Sequence, residues 1–224
     1  MTGVAGLIKA WVHGWALSRG VGIPVAEPDG YRLDVGRPGH RVRYVLADAG
    51  SVARRARSLT EPGTWLKVSG SRDEVAKTVP PEWEVGPPEY LMSAPLALRP
   101  VMAAPEPYWA ELVGDGVVTD VVVRAPDGSR AATGRVAIAG GTAVIDQVVT
   151  EPEHQRRGLG RFVMRRLDEV AVAAGAERAV LVATEEGRAL YLALGWAVAT
   201  EITAAHLPEE SGRSRSRIRP GAAR

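Results

Sequence analysis

The 224-residue chain contains no cysteine. That excludes disulfides, thiolate metal ligands and cysteine nucleophiles. Four scattered histidines offer no zinc-ligand spacing. One Phe stands against six Trp, so apolar burial has to rest on small and branched aliphatics. An excess of charge is also missing: 28 basic and 26 acidic residues leave a net +2. The tail from His206 to Arg224 carries five Arg and two Glu, so the basic excess belongs to the tail and a nucleic-acid-binding body is not indicated. Long apolar runs are absent. No stretch approaches the roughly 20 residues of a membrane span, and Gly6–Leu17, interrupted by Lys9 and His13, makes a poor signal segment. A cytoplasmic location is expected, with neither membrane nor nucleic acid as partner; a homodimer is left open.

What is present fits a soluble globular protein, with 46% hydrophobic and 24% charged residues. Residues 1–100 mix helix and strand signals. Leu7, Trp11, Val12 and Trp15 recur at helical spacing. Tyr31–Val35 and Arg41–Ala47 read as short strands around a Gly36–Gly39 turn. Ser51–Leu59 reads as a helix and Trp65–Ser69 as a strand. Ser71 and Glu74 have capping-box spacing before a helix that the Pro80–Pro88 stretch breaks.

Residues 101–204 are more regular. Val117–Arg124, Ala132–Ala139 and Ala143–Thr150 read as strands joined by Asp127-Gly128 and Gly140-Gly141 turns. A helix follows, with Val163, Leu167, Val170, Ala171 and Ala174 on one face and Gly175 at its end. Ala179–Ala183 is a buried-type strand, Glu185–Leu194 a helix, and Trp196–Ile202 a last strand. The order is β-β-β-α-β-α-β. Residues 205–224, rich in Ser, Arg, Gly and Pro, read as a disordered basic tail.

Chemistry concentrates at Thr150–Arg161, where a strand ends, a polar loop follows and a helix opens. Such a start carries unpaired N–H groups and the positive end of the dipole, so it suits a pyrophosphate. Gly158 and Gly160 let the backbone approach an anion, and Arg156, Arg157, Arg161 and Arg165 add positive charge. The loop lacks the third glycine of a dinucleotide fingerprint and the Gly-Lys-Ser/Thr of a P-loop.

Gln155-Arg156-Arg157-Gly158-Leu159-Gly160 closely resembles the Arg/Gln-x-x-Gly-x-Gly/Ala motif of the GNAT superfamily of N-acyltransferases. Val148-Val149-Thr150-Glu151 precedes it, as a strand and acidic loop do in that family. Ala189-Leu190-Tyr191-Leu192-Ala193-Leu194-Gly195-Trp196 is similar to the family's Ala-Leu-Tyr-x-x-Leu-Gly-Phe, with Trp for Phe. The resemblance covers about residues 117–204. It implies an α/β fold with a mixed sheet. It also implies acetyl-CoA as co-substrate, no metal, and a small-molecule or peptide amine as acceptor. Backbone groups of Val148, Val149 and Thr150 would pair with the pantetheine arm. The loop from Gln155 through Arg156, Arg157, Gly158, Leu159 and Gly160 to Arg161 would hold the pyrophosphate. Tyr191 matches the tyrosine that commonly protonates the departing thiolate. Thr184 stands where many members carry an Asn that touches CoA.

Freeing an alkyl amine of pKa roughly 10 at pH 7 costs about 4 kcal/mol, so a base or a site that lowers the amine pKa is needed. A backbone N–H at Val149 is an oxyanion donor candidate. Val144, Asp146 and Val148 share one face if side chains alternate. Asp146 is the candidate base, at an offset used by some family members; Val144 occupies the offset used by others. The competing reading pairs Asp146 with Arg135. Trp65, Trp83, Tyr90, Tyr108 and Trp109 are candidates to line an acceptor site or to be core. Residues 1–100 are either a degenerate acyltransferase-like half or an unrelated small α+β domain. A non-catalytic acyl-CoA-binding module is the alternative function.

Overall fold

The structure is a computed structural model and describes residues 3–209. Helix α1, Val4–Arg19, buries Leu7, Ile8, Trp11, Val12 and Trp15 along one stripe and ends at Gly20, whose φ of 62° is the left-handed C-cap geometry. Most helical stability in proteins comes from packing of the apolar face. Burial of each large side chain, worth about 1.5–3 kcal/mol, fixes it to the sheet.

The next elements are β1 (Val25–Glu27), β2 (Gly30–Arg37), β3 (His40–Leu46), α2 (Val52–Ser58), β4 (Thr64–Ser69), α3 (Arg72–Thr78) and β5 (Glu84–Pro95). The Ser71–Glu74 capping box opens α3 as its spacing predicts. Then follow β6 (Trp109–Gly114), β7 (Val118–Arg124), β8 (Arg130–Ala139), β9 (Thr142–Thr150), α4 (Leu159–Ala173), β10 (Arg178–Thr184), α5 (Glu185–Ala193) and β11 (Ala197–His206). From β7 onward the order is the expected β-β-β-α-β-α-β.

All strands join one 11-stranded sheet in the order β1-β2-β3-β4-β11-β5-β10-β9-β8-β7-β6. The run from β1 to β5 repeats the element order of the run from β7 to β11. In each run the first three strands are antiparallel neighbours and the third pairs in parallel with the fourth. The final strands are exchanged: β11 lies against β4, β5 lies against β10, and the two pair antiparallel at the centre. Residue 100 therefore does not divide the sheet.

Strand β5 is one the proline-rich stretch conceals. Pro87 and Pro88 precede the register that β10 covers, which begins at Glu89 opposite Thr184. On the β11 side a bulge lies between Thr203 and Ala205. Pro88 stands opposite Thr203 at the edge of that bulge, a place where strands tolerate proline.

Helix α1 packs on one face of the sheet, where Leu91, Val144, Val180 and Ile202 meet it. Helices α4 and α5 pack on the opposite face over Met92, Ala143, Ile145, Ala179 and Leu181. The alternation of neighbouring residues between these cores is the period-two geometry of strands. Helices α2 and α3 close a third cluster with Leu46, Leu66, Val68 and Ala205. The tail is expected from residue 205, but residues 205–209 belong to the fold. Ala205 and His206 complete β11, Leu207 is buried, and Glu209 accepts a hydrogen bond from the Gly39 N–H at 2.8 Å. Residues 210–224 lie outside the described residues. Among the described residues no helix is long and apolar enough to cross a membrane.

Candidate active site

The loop before α4 is braced from beneath and open above. Arg157 donates to the Tyr108 hydroxyl at 2.9 Å and to the Glu153 carbonyl, and that hydroxyl lies 3.1 Å from His154 Nδ1. Arg156 and Gly158 adopt φ of 60° and 78°, the left-handed conformation that turns successive N–H groups to one side. A Cβ at Gly158 would meet nothing within 4 Å, while one at Gly160 would stand 3.2 Å from Leu190 on α5. Gly158 thus serves the turn and Gly160 the close approach of helices. Helix α4 has no side-chain cap and no acidic residue in its first turn. Its first N–H groups are left for an external anion.

The equivalent connection in the first run, between β3 and α2, is different. It is short, and the Asp48 carboxylate accepts from the Gly50 N–H. There the chain's own carboxylate caps a short 3-10 turn, Ala49–Ser51, that runs directly into α2. Strand pairing diverges in the same sense. Strands β3 and β4 stay paired to Leu46 and Val68, the end of β3. Strands β9 and β10 pair only through Val144 and Val180, although β9 runs on to Thr150 and β10 to Thr184. Beyond Val144 the β10-facing edge of β9 is unpaired, so backbone groups along it can bind an extended amide-bearing arm.

A bulge changes the expected orientation of β9. Gln147 has φ 54° and the β8–β9 register shifts between Thr133 and Arg135. Val144 and Asp146 face α1: a Cβ on Gly14 would strike Val144 Cγ2 at 2.2 Å, and Asp146 bonds to Ser18 and Arg19. Val148 faces the other side, among residues packed with α4. The extra residue turns Val148 over, so the three do not share a face.

Asp146 is fully engaged. It accepts from Ser18 Oγ at 2.9 Å, from Arg19 Nε and Nη2 at 2.6 and 2.9 Å, and from the Gln147 N–H at 2.9 Å. These fill the roughly four lone-pair positions of a carboxylate. The partner expected for it, Arg135, instead makes a two-pronged pair with Asp120 at 2.6 and 2.7 Å.

Tyr191 is only 8% exposed and packs on Trp196, ring centroids 5.9 Å apart. Burial, and secondly the charge of Asp146, push its phenol up to about 12. At neutral pH it holds its proton. Thr184 caps α5, its hydroxyl accepting from the Gly187 N–H at 3.2 Å.

The aromatic candidates separate. Trp83 is core and Tyr108 braces the loop. Trp109 is exposed on the edge strand β6, and Tyr90 lies beneath Arg188 at 4.4 Å. Only Trp65 is in an aromatic row on the α1 face, stacked on His206 at 4.3 Å and near His40 at 5.1 Å. The row continues to Trp15, which carries the guanidinium of Arg43 at 3.8 Å and that of Arg19 at 5.8 Å. Sequence reading passes over Arg19 and Arg43. The one available signal was alternation: Arg43 shares a face with Val45, which is core.

A sequence model of the acetyltransferase (GNAT) family matches residues 83–196. No curated protein matches the chain. Among solved structures, a GCN5-related N-acetyltransferase from Kribbella flavida is similar with a TM-score of 0.64 at 18% identity, over 93% of this chain and 97% of that one. One from Sphaerobacter thermophilus has a TM-score of 0.58 at 12% identity, over 92% and 93%. These likenesses show the fold. With the family match over half its length, the glycine-opened helix and the splayed strands, this chain belongs to the acetyltransferase (GNAT) family.

Proposed function

We propose that the protein is an N-acetyltransferase that moves an acetyl group from acetyl-CoA to a primary amine by direct attack. The observation that carries this reading is the divergence of β9 from β10 beside an uncapped helix start. The N–H groups from Gly158 to Arg161 would hold the pyrophosphate, where the helix dipole contributes about half a positive charge. Arg156 and Arg161, both exposed, add to it. The free edge of β9 from Val148 to Thr150 would take the pantetheine amides, and a Val149 N–H would meet the oxyanion.

Tyr191 serves as the acid. Its phenol donates toward the departing sulfur, and the proton lost by the amine balances the one the thiolate gains. Asp146 acts as a positioning group, because its lone pairs are occupied by Arg19, Ser18 and Gln147. Amine deprotonation is favoured instead by desolvation as the acceptor enters the site, since burial lowers an ammonium pKa. The test is thiol release from acetyl-CoA across a broad amine panel. The reading expects turnover with some amine. Acetyl-CoA binding without turnover on any amine would mark a non-catalytic acyl-CoA-binding module.

A further inference from the structure

Arg43 and Lys67 are the charged residues most deeply buried among those described, at 8% and 7% exposure. Both stand on the sheet face that α1 covers. Lys67 is paired with Glu89. Arg43 has no carboxylate partner among the described residues. Its Nε donates to His40 Nε2 at 3.2 Å, and its plane lies 3.8 Å from the Trp15 ring centroid. Its two Nη groups have no hydrogen-bond partner among the described residues. They are also not among the sealed, unpartnered polar atoms of the described residues, which are on Trp83, Arg165, Asp168 and Arg188. Each Nη therefore keeps some accessible surface, although the residue as a whole is only 8% exposed.

Charge balance sharpens this. Arg19 is matched by Asp146 and Lys67 by Glu89, so Arg43 leaves one buried positive charge uncompensated. His40 adds none: burial first, then Arg43 and Lys67, hold its imidazole down to about 3. A buried cation without a counterion is costly, and the cost falls when an anion arrives. One surplus charge on a planar fork matches a monoanionic carboxylate better than a dianionic phosphate. The place is also near the chemistry. Arg43 and Arg19 share the Trp15 ring, and Arg19 grips Asp146 on β9 beyond the last residues paired with β10.

We propose that Arg43 seats a carboxylate of the acceptor, so that the substrate class is an amine that also carries a carboxylate, lying on the α1 face with its amine toward the splayed end of β9. The substrate class rests on the acyl-transfer reading above; the anion seat itself does not.

The test is calorimetric binding of N-acetyl-L-amino acids, as product analogues, against the matched amides, with and without CoA. Phosphoethanolamine is the phosphate arm. At least one acid should bind about 10- to 100-fold tighter than its amide, the range for a charge-assisted pair. Arg43→Gln should bring acid and amide level without changing CoA affinity and with Tm held or raised, since a buried unpaired charge is removed, and Arg43→Lys should restore part of the difference. The proposal is overturned if every acid binds no better than its amide. It is also overturned if a folded Arg43→Gln protein keeps the preference, or if only the phosphate arm responds to Arg43. Loss of CoA binding would sink the acyl-transfer reading, while the comparison without CoA still reads the anion seat.

Discussion

Burial raises both Tyr191 and Asp168, but only the phenol stays protonated at neutral pH. Burial keeps the Tyr191 phenol protonated, so removing its hydroxyl removes a donor and little else. Tyr191→Phe should lower kcat roughly 100-fold, within the usual range for a general acid, and leave acetyl-CoA affinity unchanged. Equal loss in both quantities would reduce Tyr191 to a packing residue. Asp168, on α4, is raised by burial from 3.8 to about 6, against the opposing pull of Arg99 and Arg165. The unfolded chain ionises this carboxyl first, so native stability falls as pH climbs from about 4 to about 6. Asp168→Asn should therefore melt higher than the parent at pH 7 and about level with it near pH 4. A gain of equal size at both values would assign the effect to something other than this titration.

Helix α1 holds the far side of the site, and one glycine sets its distance. Alanine at position 14 would ordinarily strengthen a helix by up to about 1 kcal/mol. Here its Cβ would fall 2.2 Å from Val144 Cγ2, in a fully buried seam. Overpacking of that kind costs about 1–3 kcal/mol, so the clash wins. Gly14→Ala should lower Tm by several degrees and loosen the Arg19–Asp146 pair. An unchanged or raised Tm would mean that α1 is not clamped to β9 as described. The elements differ in how far they can be read from sequence. The loop Gln155–Gly160 and the Tyr191 helix were legible because each motif is local. Hidden were features made by distant or irregular backbone. Pro87 and Pro88 disguise β5. The bulge at Gln147 uses no glycine, so nothing announces that Val148 turns over. The Arg19–Asp146 pair joins residues 127 apart in sequence.

At the scale of the whole molecule, the exchange of β5 and β11 makes neither run complete without the other. Thermal unfolding should accordingly be one transition with calorimetric and van 't Hoff enthalpies in agreement. Two resolved transitions would contradict the shared sheet. The same architecture yields two similar runs but one open site. In the first run β3 and β4 stay paired and Asp48 caps the 3-10 turn leading into α2; in the second the strands part and the α4 start is bare. The measurement that bears most directly on this is isothermal titration with acetyl-CoA. The account predicts saturable binding, with Kd in the roughly micromolar to millimolar range of enzyme substrates, at one acetyl-CoA per chain. Absence of binding, or two equivalents per chain, would contradict it.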